Sequence, residues 1–319
     1  MAKKDAIVLM NMGGPNSIYE VETFLKNMFN DPHILGMNKY LRRFVAGMIT
    51  LFRAESAQQV YMYLGGKSPI IEHTNKLVKA LQKSIGDDVF VISQMRYTPP
   101  FSKDVIKVLR DECIKRVILV PLYPQYSSTT TASSIEEFID TAKEMEYKKP
   151  LVQIIRFYQN KTYNNAIIQQ IVKKMKKKNT EEYELIFSAH GLPVSVIKQG
   201  DPYQMEIEDN VSILKEMLEE LNIKFSNIHL AYQSKVGPMA WLSPSLGDTL
   251  KKMEDKKVVI YPIAFVIDNS ETDYELAVEY KHIAREIGIK DYKVCKVLNK
   301  KPMFVEALKE EIMAIQAKS

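Results

Sequence analysis

Two short strings hold the side chains best suited to chemistry. ELIFSAHGLP brings His190 to the end of an apolar run, where the Gly191-Leu192-Pro193 turn should present its ring at a sheet edge. Asp268-Asn269-Ser270-Glu271 opens a row that continues with Glu275 and Glu279. At i, i+4 and i+8 a helix stacks these carboxylates on one face, although like charges so placed cost about 0.2–0.5 kcal/mol per pair. A helix cap by Asp268 or Ser270 and the helix dipole account for Glu271, but not for a row reaching Glu279. An imidazole beside a carboxylate can exchange protons near neutral pH. Asp268, Glu275 and Glu279 would then form a path for a hydrated divalent cation, and His with Glu and no thiolate suits transient binding of ferrous iron.

The chain also reads as written twice. AIVLMNMGGP near the N-terminus matches ELIFSAHGLP, setting Met12 opposite His190. RVILVPLYPQYSSTTTASSIEEF and KVVIYPIAFVIDNSETDYELAVEY align on Pro121 and Pro262, setting Thr130 opposite Glu271. Two related halves are expected, one with a titratable, metal-competent wall and the other with a packing wall. Met12, Tyr123, Tyr126 and Trp241 could line an apolar slot, while Arg96, Gln233, Ser234 and residues 127–131 could grip carboxylates. Plainer accounts exist: Met12 as core filler among sixteen methionines, and the Ser/Thr run as a loop and cap. Together the residues point to a flat, aromatic, carboxylate-bearing ligand and a metal.

Positioning them requires regular elements. Candidate strands at 6–11, 89–95, 116–121, 151–156, 184–189, 227–232, 257–262 and 292–297 alternate with helical patterns. The helices fall at 17–29, 72–84, 102–112, 132–146, 161–177, 203–221, 244–254, 271–287 and 302–316. Such alternation predicts α/β architecture with parallel sheets, because a parallel crossover needs a helix-length return. Four strands per half give two doubly wound domains, 1–156 and 157–319, with the last helix packing back on the first domain. In such folds ligands sit beyond the carboxyl ends of the strands, where the turns quoted above lie. Residues 34–53 stand outside the alternation: Leu41, Phe44, Val45, Met48, Ile49 and Phe52 keep helical spacing, with Lys39, Arg42 and Arg43 off the stripe. Either this helix packs on its domain, or it forms a cleft lip that touches a membrane.

Bulk properties set outer bounds. With 319 residues, 46% apolar and 26% charged, the chain has the core material of a globular protein. A net charge of +5 is too diffuse for a nucleic-acid reader and fits a weak attraction to anionic surfaces. Cys113 and Cys295 lie in separate halves, which excludes a disulfide framework or a cysteine metal site and favours a reducing cytoplasm. The N-terminal lysines and apolar run mimic a secretory signal, but Asn11 interrupts them and they flow into a Gly-Gly-Pro turn.

The strings LMNMGGP, GGKSPI, MRYTPP, YPQYSSTTTASS, FSAHGLP, YQSKVGPMAWLSP and PIAFVIDNSETDYEL resemble, in order and spacing, the ferrochelatases, which insert ferrous iron into protoporphyrin IX. The likeness runs over essentially the whole chain. It implies two similar Rossmann-like domains holding the porphyrin between them, a lyase activity at the last step of haem synthesis, and no organic cofactor. It casts His190 and Glu271 as the catalytic, metal-contacting pair and Met12 as a contact on the opposite face of the macrocycle. Arg96, Tyr123 and Trp241 would line the pocket, and Gln233 and Ser234 would lie near the propionates. Residues 28–53 resemble the family's membrane-facing lip, which implies a cytoplasmic enzyme peripheral at the inner face of the membrane. Metallation must strip two pyrrole protons, so a base on one face helps directly. Bending the ring toward the incoming ion costs ~1–5 kcal/mol, which binding contacts can supply.

The chain also departs from its relatives. Asn269 stands where many have a second His, and Met62 and Tyr63 stand where animal-type relatives carry paired arginines. With two cysteines and no extension after Ser319, no iron–sulfur cluster is expected. Met12, where coproporphyrin-using relatives often have Tyr, favours protoporphyrin. Other tetrapyrrole chelatases (coproporphyrin iron, cobalt or nickel) and a non-catalytic porphyrin or haem carrier remain as alternatives.

Overall fold

The computed structural model describes residues 4–235, 237 and 239–317, so Val236 and Pro238 of the YQSKVGPMAWLSP string lie outside the described residues. The chain divides into two compact units, Met1–Arg156 with Val305–Ser319, and Phe157–Phe304. The first contains β1 (Lys4–Asn11), α1 (Val21–Phe29), α2 (Lys39–Tyr63), α3 (Ile70–Ile85), β2 (Val89–Met95), α4 (Ser102–Asp111), β3 (Ile114–Pro121), α5 (Ser133–Glu144) and β4 (Leu151–Gln153). The second contains α6 (Lys161–Lys174), β5 (Tyr183–His190), α7 (Val194–Lys198), α8 (Tyr203–Glu220), β6 (Asn227–Gln233), α9 (Leu246–Leu250), β7 (Lys257–Pro262), α10 (Tyr280–Ile287) and β8 (Asp291–Val294). The last helix, α11 (Pro302–Ala317), runs from the second unit into the first.

Each unit is built on a four-stranded parallel sheet, and the two sheets share one strand order: β2-β1-β3-β4 and β6-β5-β7-β8. The central strands are covered on both faces, as parallel sheets require; every residue from Ala6 to Met10 is fully buried. Ala6, Val8 and Met10 pack with Val105, Ile106 and Phe138 in one core, and Ile186, Val258 and Ile260 with Leu246 and Leu276 in the other. Register matches too. Met10 pairs with Pro121 as Ser188 pairs with Pro262, which makes Met12 the counterpart of His190. In both units the residue after the pairing region of the edge strand adds one bond, Ile154 N to Leu119 O at 2.9 Å and Cys295 N to Ile260 O at 2.8 Å. The edge strands therefore stop earlier than the patterns at 151–156 and 292–297 suggested, since each has a neighbour on one side only.

The same local device follows β3 and β7. A π-helical turn at Ser128–Ala132 leads into α5, and a longer π-helix, Glu271–Glu279, leads into α10. Thr130 and Glu271 lie in these corresponding turns. The pattern at 271–287 is thus one helical stretch of two pitches rather than a plain α-helix.

Segment 34–53 corrects a reading. The helix begins only at Lys39, where Asn38 Oδ1 accepts from Tyr40 N at 2.9 Å, and it runs on to Tyr63 through the good helix formers AESAQQ. Its buried face is Ala46, Thr50, Ala54 and Tyr61, and the first three are small enough to admit close approach of α1. The apolar stripe does not pack on the domain: Leu41, Phe44, Met48 and Phe52 are exposed, with Val45 and Ile49 half-buried. Among the described residues no helix is long and apolar enough to cross a membrane.

Glycines separate constraint from freedom. A Cβ on Gly191 would stand 2.8 Å from the Gln233 backbone oxygen and 3.4 Å from the Trp241 ring, whereas one on Gly47, within α2, would meet nothing within 4 Å. Gly191→Ala should lower stability by about 1–3 kcal/mol through overpacking. Gly47→Ala should raise it by about 0.5–1 kcal/mol by favouring the helix. Urea midpoints at constant m-value check both signs.

Candidate active site

His190 is the last residue of β5 and pairs in register with Gln233, the last of β6. Its backbone is pinned from two directions: Gly191 N donates to Gln233 O at 2.9 Å, and Tyr203 OH donates to His190 O at 2.9 Å. The ring stands edge-on to Phe265, with centroids 6.4 Å apart. Trp241 lies over the same turn, where Leu242 N bonds Leu192 O and Val194 N bonds Ala240 O, each at 2.9 Å.

The partner carboxylate arrives on the π-helix. Asn269 Oδ1 accepts from Glu271 N at 2.8 Å and from Thr272 N at 3.3 Å, so Asn269 makes the side-chain cap assigned above to Asp268 or Ser270. An Asn is well suited to that task, since it accepts without carrying a charge. Held there, Glu271 Oε2 lies 2.8 Å from His190 Nδ1. The side chains of His190 and Glu271 remain 36% and 22% exposed, so the pair is reachable.

Glu275 follows one turn later, and Gln233 at the end of β6 and Ser234 just after it bind it to the pair. Ser234 Oγ lies 2.8 Å from Glu271 Oε2 and 2.6 Å from Glu275 Oε2 and shares its one proton between them, while Ser234 N donates to Glu275 Oε1 at 3.0 Å. Ser234 adopts φ +65°, a left-handed conformation costly for a non-glycine residue and found often at functional sites. Gln233 Nε2 reaches Glu275 Oε2 at 3.2 Å and Glu271 Oε2 at 3.4 Å, and its Oε1 accepts from Ser188 Oγ at 2.8 Å. The resemblance sets Gln233 and Ser234 near propionates; in the structure their donors face the two glutamates.

These contacts set the proton affinities. Burial alone would lower the His190 pKa, but the charge and hydrogen bond of Glu271, with Glu275 behind, hold it above 6.5. Burial pushes Glu271 up, and His190, Ser234 and Gln233 bring it below the usual 4.5. Glu275, buried and repelled by Glu271, rises to about 7. Each member of the pair thus favours the charged form of the other, and a second carboxyl that titrates at about 7 lies beside them.

The remaining candidates are placed as follows. Asp268 turns away from the pair: it accepts from Thr272 Oγ1 at 3.1 Å and Asn299 Nδ2 at 2.7 Å, and burial raises its pKa. Glu279 is exposed. Among the described residues no group of three or more His, Cys, Asp or Glu side chains is arranged to hold a metal ion. Met12, Arg96 and Tyr123 belong to the first unit. Met12 packs on a cluster of Val21, Phe24, Leu25 and Tyr97, and burial pushes the Tyr123 phenol to about 12. Arg96 is held by Asp31 and Ser133. Tyr126 lies under the Arg156 guanidinium at 5.7 Å, and Ser127, Thr129 and Thr131 are buried within the π-turn. Sequence reasoning missed Tyr203, Ser188 and Asp31. For Asp31 the Asn-Asp-Pro turn was a local signal; for the others only the fold reveals the role.

Comparison with known proteins points to one family. A family model described as Ferrochelatase matches residues 4–315. A protein named Ferrochelatase from Sulfurimonas denitrificans is 51% identical over 307 residues, covering 96% of this chain and 97% of its own. Another so named, from Wolinella succinogenes, is 48% identical over 306 residues, covering 96% of each. Among solved structures, SirB from Bacillus subtilis with Fe3+ superposes with a TM-score of 0.59 at 11% identity, covering 97% of this chain and 94% of its own. CbiX, described as the terminal enzyme for biosynthesis of siroheme in denitrifying bacteria, superposes with a TM-score of 0.53 at 9% identity, covering 98% and 99%. At such identity these two likenesses show the fold alone.

Replacing Glu275 tests the electrostatics. Its carboxyl binds a proton more tightly folded (about 7) than unfolded (4.5), so its favourable contribution is complete below pH 4.5 and is lost as pH rises through 7. Glu275→Gln should therefore raise Tm at about pH 8 and change it little at about pH 4. It also removes a charge that raises His190, so the acid limb of kcat/KM should move to lower pH.

Proposed function

The chain belongs to the ferrochelatase family, and from that premise we propose that it inserts Fe2+ into protoporphyrin IX with release of two protons, through the His190–Glu271 pair. Porphyrin and iron are the substrates of the family. The reading makes the enzyme a lyase acting at the last step of haem synthesis with no organic cofactor. What carries it is the 2.8 Å contact between His190 Nδ1 and Glu271 Oε2 at the carboxyl end of a central parallel strand. Iron is the substrate here, so a two-residue donor set that binds and lets go serves better than a closed cage.

His190, unprotonated in the reacting form and strengthened as a base by Glu271, takes a pyrrole proton as the metal approaches, and Glu271 stabilises the imidazolium that forms. Ser234 Oγ, its proton shared between Glu271 and Glu275, links the pair to a second carboxyl. Met12, Tyr123 and Trp241 offer apolar and aromatic surface to the macrocycle, and Arg96 a guanidinium to its carboxylates. Glu275 and Glu279 lie along the π-helix as stations for the hydrated ion or the leaving protons, with Asp268 on its far side. The exposed stripe of α2 (Leu41, Phe44, Met48 and Phe52, with Lys39 and Arg43) supports peripheral contact with an anionic membrane surface from the cytoplasm.

His190→Ala and Glu271→Gln should each reduce anaerobic haem formation by roughly 10²–10⁴-fold. Porphyrin binding, followed by quenching of porphyrin fluorescence, should persist in both. Turnover near the unsubstituted rate in either variant would remove the pair from the mechanism.

A further inference from the structure

Arg96 owes its orientation to a carboxylate that the sequence pattern did not single out. Asp31, in the turn between α1 and α2, has a side chain with no solvent exposure, yet four donors converge on it. Arg96 Nη2 reaches Oδ2 at 2.9 Å, Tyr97 OH reaches Oδ2 at 2.8 Å, Ser133 Oγ also donates to Oδ2, and His33 N donates to Oδ1 at 2.8 Å. Ser133 Oγ in turn accepts from Arg96 Nε at 2.9 Å. The guanidinium also lies 5.1 Å from the centre of the Tyr97 ring. His33, from the same turn, meets Glu136 on α5 at 2.9 Å, so the turn is fastened to the helix that carries Ser133.

Two of the five guanidinium N–H groups are therefore engaged, Nε–H by Ser133 and one on Nη2 by Asp31. The remaining three, including both on Nη1, have no protein acceptor among the described residues. With a side chain 17% exposed, Arg96 keeps an accessible edge. One edge is clamped and neutralised; the other is left as a fixed two-pronged donor of the kind that matches a carboxylate.

We propose that Asp31 is a positioning residue for substrate carboxylate recognition: it locks the Arg96 guanidinium in one orientation so that its open edge receives a porphyrin carboxylate. This rests on the reading of Arg96 as a carboxylate-binding residue. An Asn at position 31 keeps the size but turns an amide N–H₂ toward donors, so it releases the clamp without opening a cavity.

The test compares KM and kcat for a porphyrin dicarboxylic acid and for its dimethyl ester, in Asp31→Asn, Arg96→Leu and the double variant. Asp31→Asn should raise KM for the diacid about tenfold, change kcat less than about threefold and leave KM for the ester and for Fe2+ unmoved. In the Arg96→Leu background it should add nothing further, because Asp31 acts through Arg96. A folded Asp31→Asn protein with unchanged KM, or with an effect additive to Arg96→Leu, overturns the proposal while leaving the Arg96 reading intact. An Arg96→Leu protein with unchanged KM for the diacid overturns that reading as well. If Asp31→Asn does not fold, Ser133→Ala removes only the hydroxyl on Nε. It should raise KM for the diacid about threefold, and no rise overturns the proposal.

Discussion

The site depends on one short contact, the imidazole of His190 against the carboxylate of Glu271. Either group alone would suffer from its surroundings. Burial would drive the imidazole toward its neutral form and the carboxylate toward its protonated form, so neither would carry the charge that the other needs. Together they reverse both shifts, because the charge of each compensates the desolvation of the other. Such pairs hold only when their remaining hydrogen-bonding atoms are satisfied. Ser234 and Gln233 meet that condition for the glutamate, and Tyr203 fixes the backbone that carries the histidine.

The fold brings this contact about by repetition with divergence. Both units place a residue at the carboxyl end of a central strand and a π-turn after the next one, and the two sheets keep the same order and register. In the first unit those places hold Met12, which packs on α1, and Thr130, in a turn that Ser127 caps. In the second they hold His190 and Glu271, which titrate. A π-helix is uncommon and is often found at functional sites. Here its wider turn keeps Glu271 and Glu275 close enough for one serine hydroxyl to reach both.

Much of this was legible in the chain. Apolar runs ending at Asn11, Pro121, His190 and Pro262 marked central strands, because burial on both faces leaves a continuous hydrophobic signal. The pairing of His190 with Glu271 followed from aligning the two halves. Three features were not legible, each for a physical reason. The exposure of the α2 stripe depends on which face the neighbours cover, and periodicity reports only that a face exists. The π pitch of Glu271–Glu279 leaves no separate mark in spacing, since residues four apart share a face in either helix. The roles of Gln233 and Ser234 depend on a left-handed backbone at Ser234, which no residue-type preference foretells.

The most direct test of the account is the titration of the His190 ring in the metal-free protein by ¹⁵N NMR, with the resonance assigned by its loss in His190→Ala. An imidazolium that keeps its proton above pH 6.5 is the expected result, since Glu271 outweighs burial. A ring that is neutral at or below that value would mean that desolvation dominates, and the paired site described here would be contradicted.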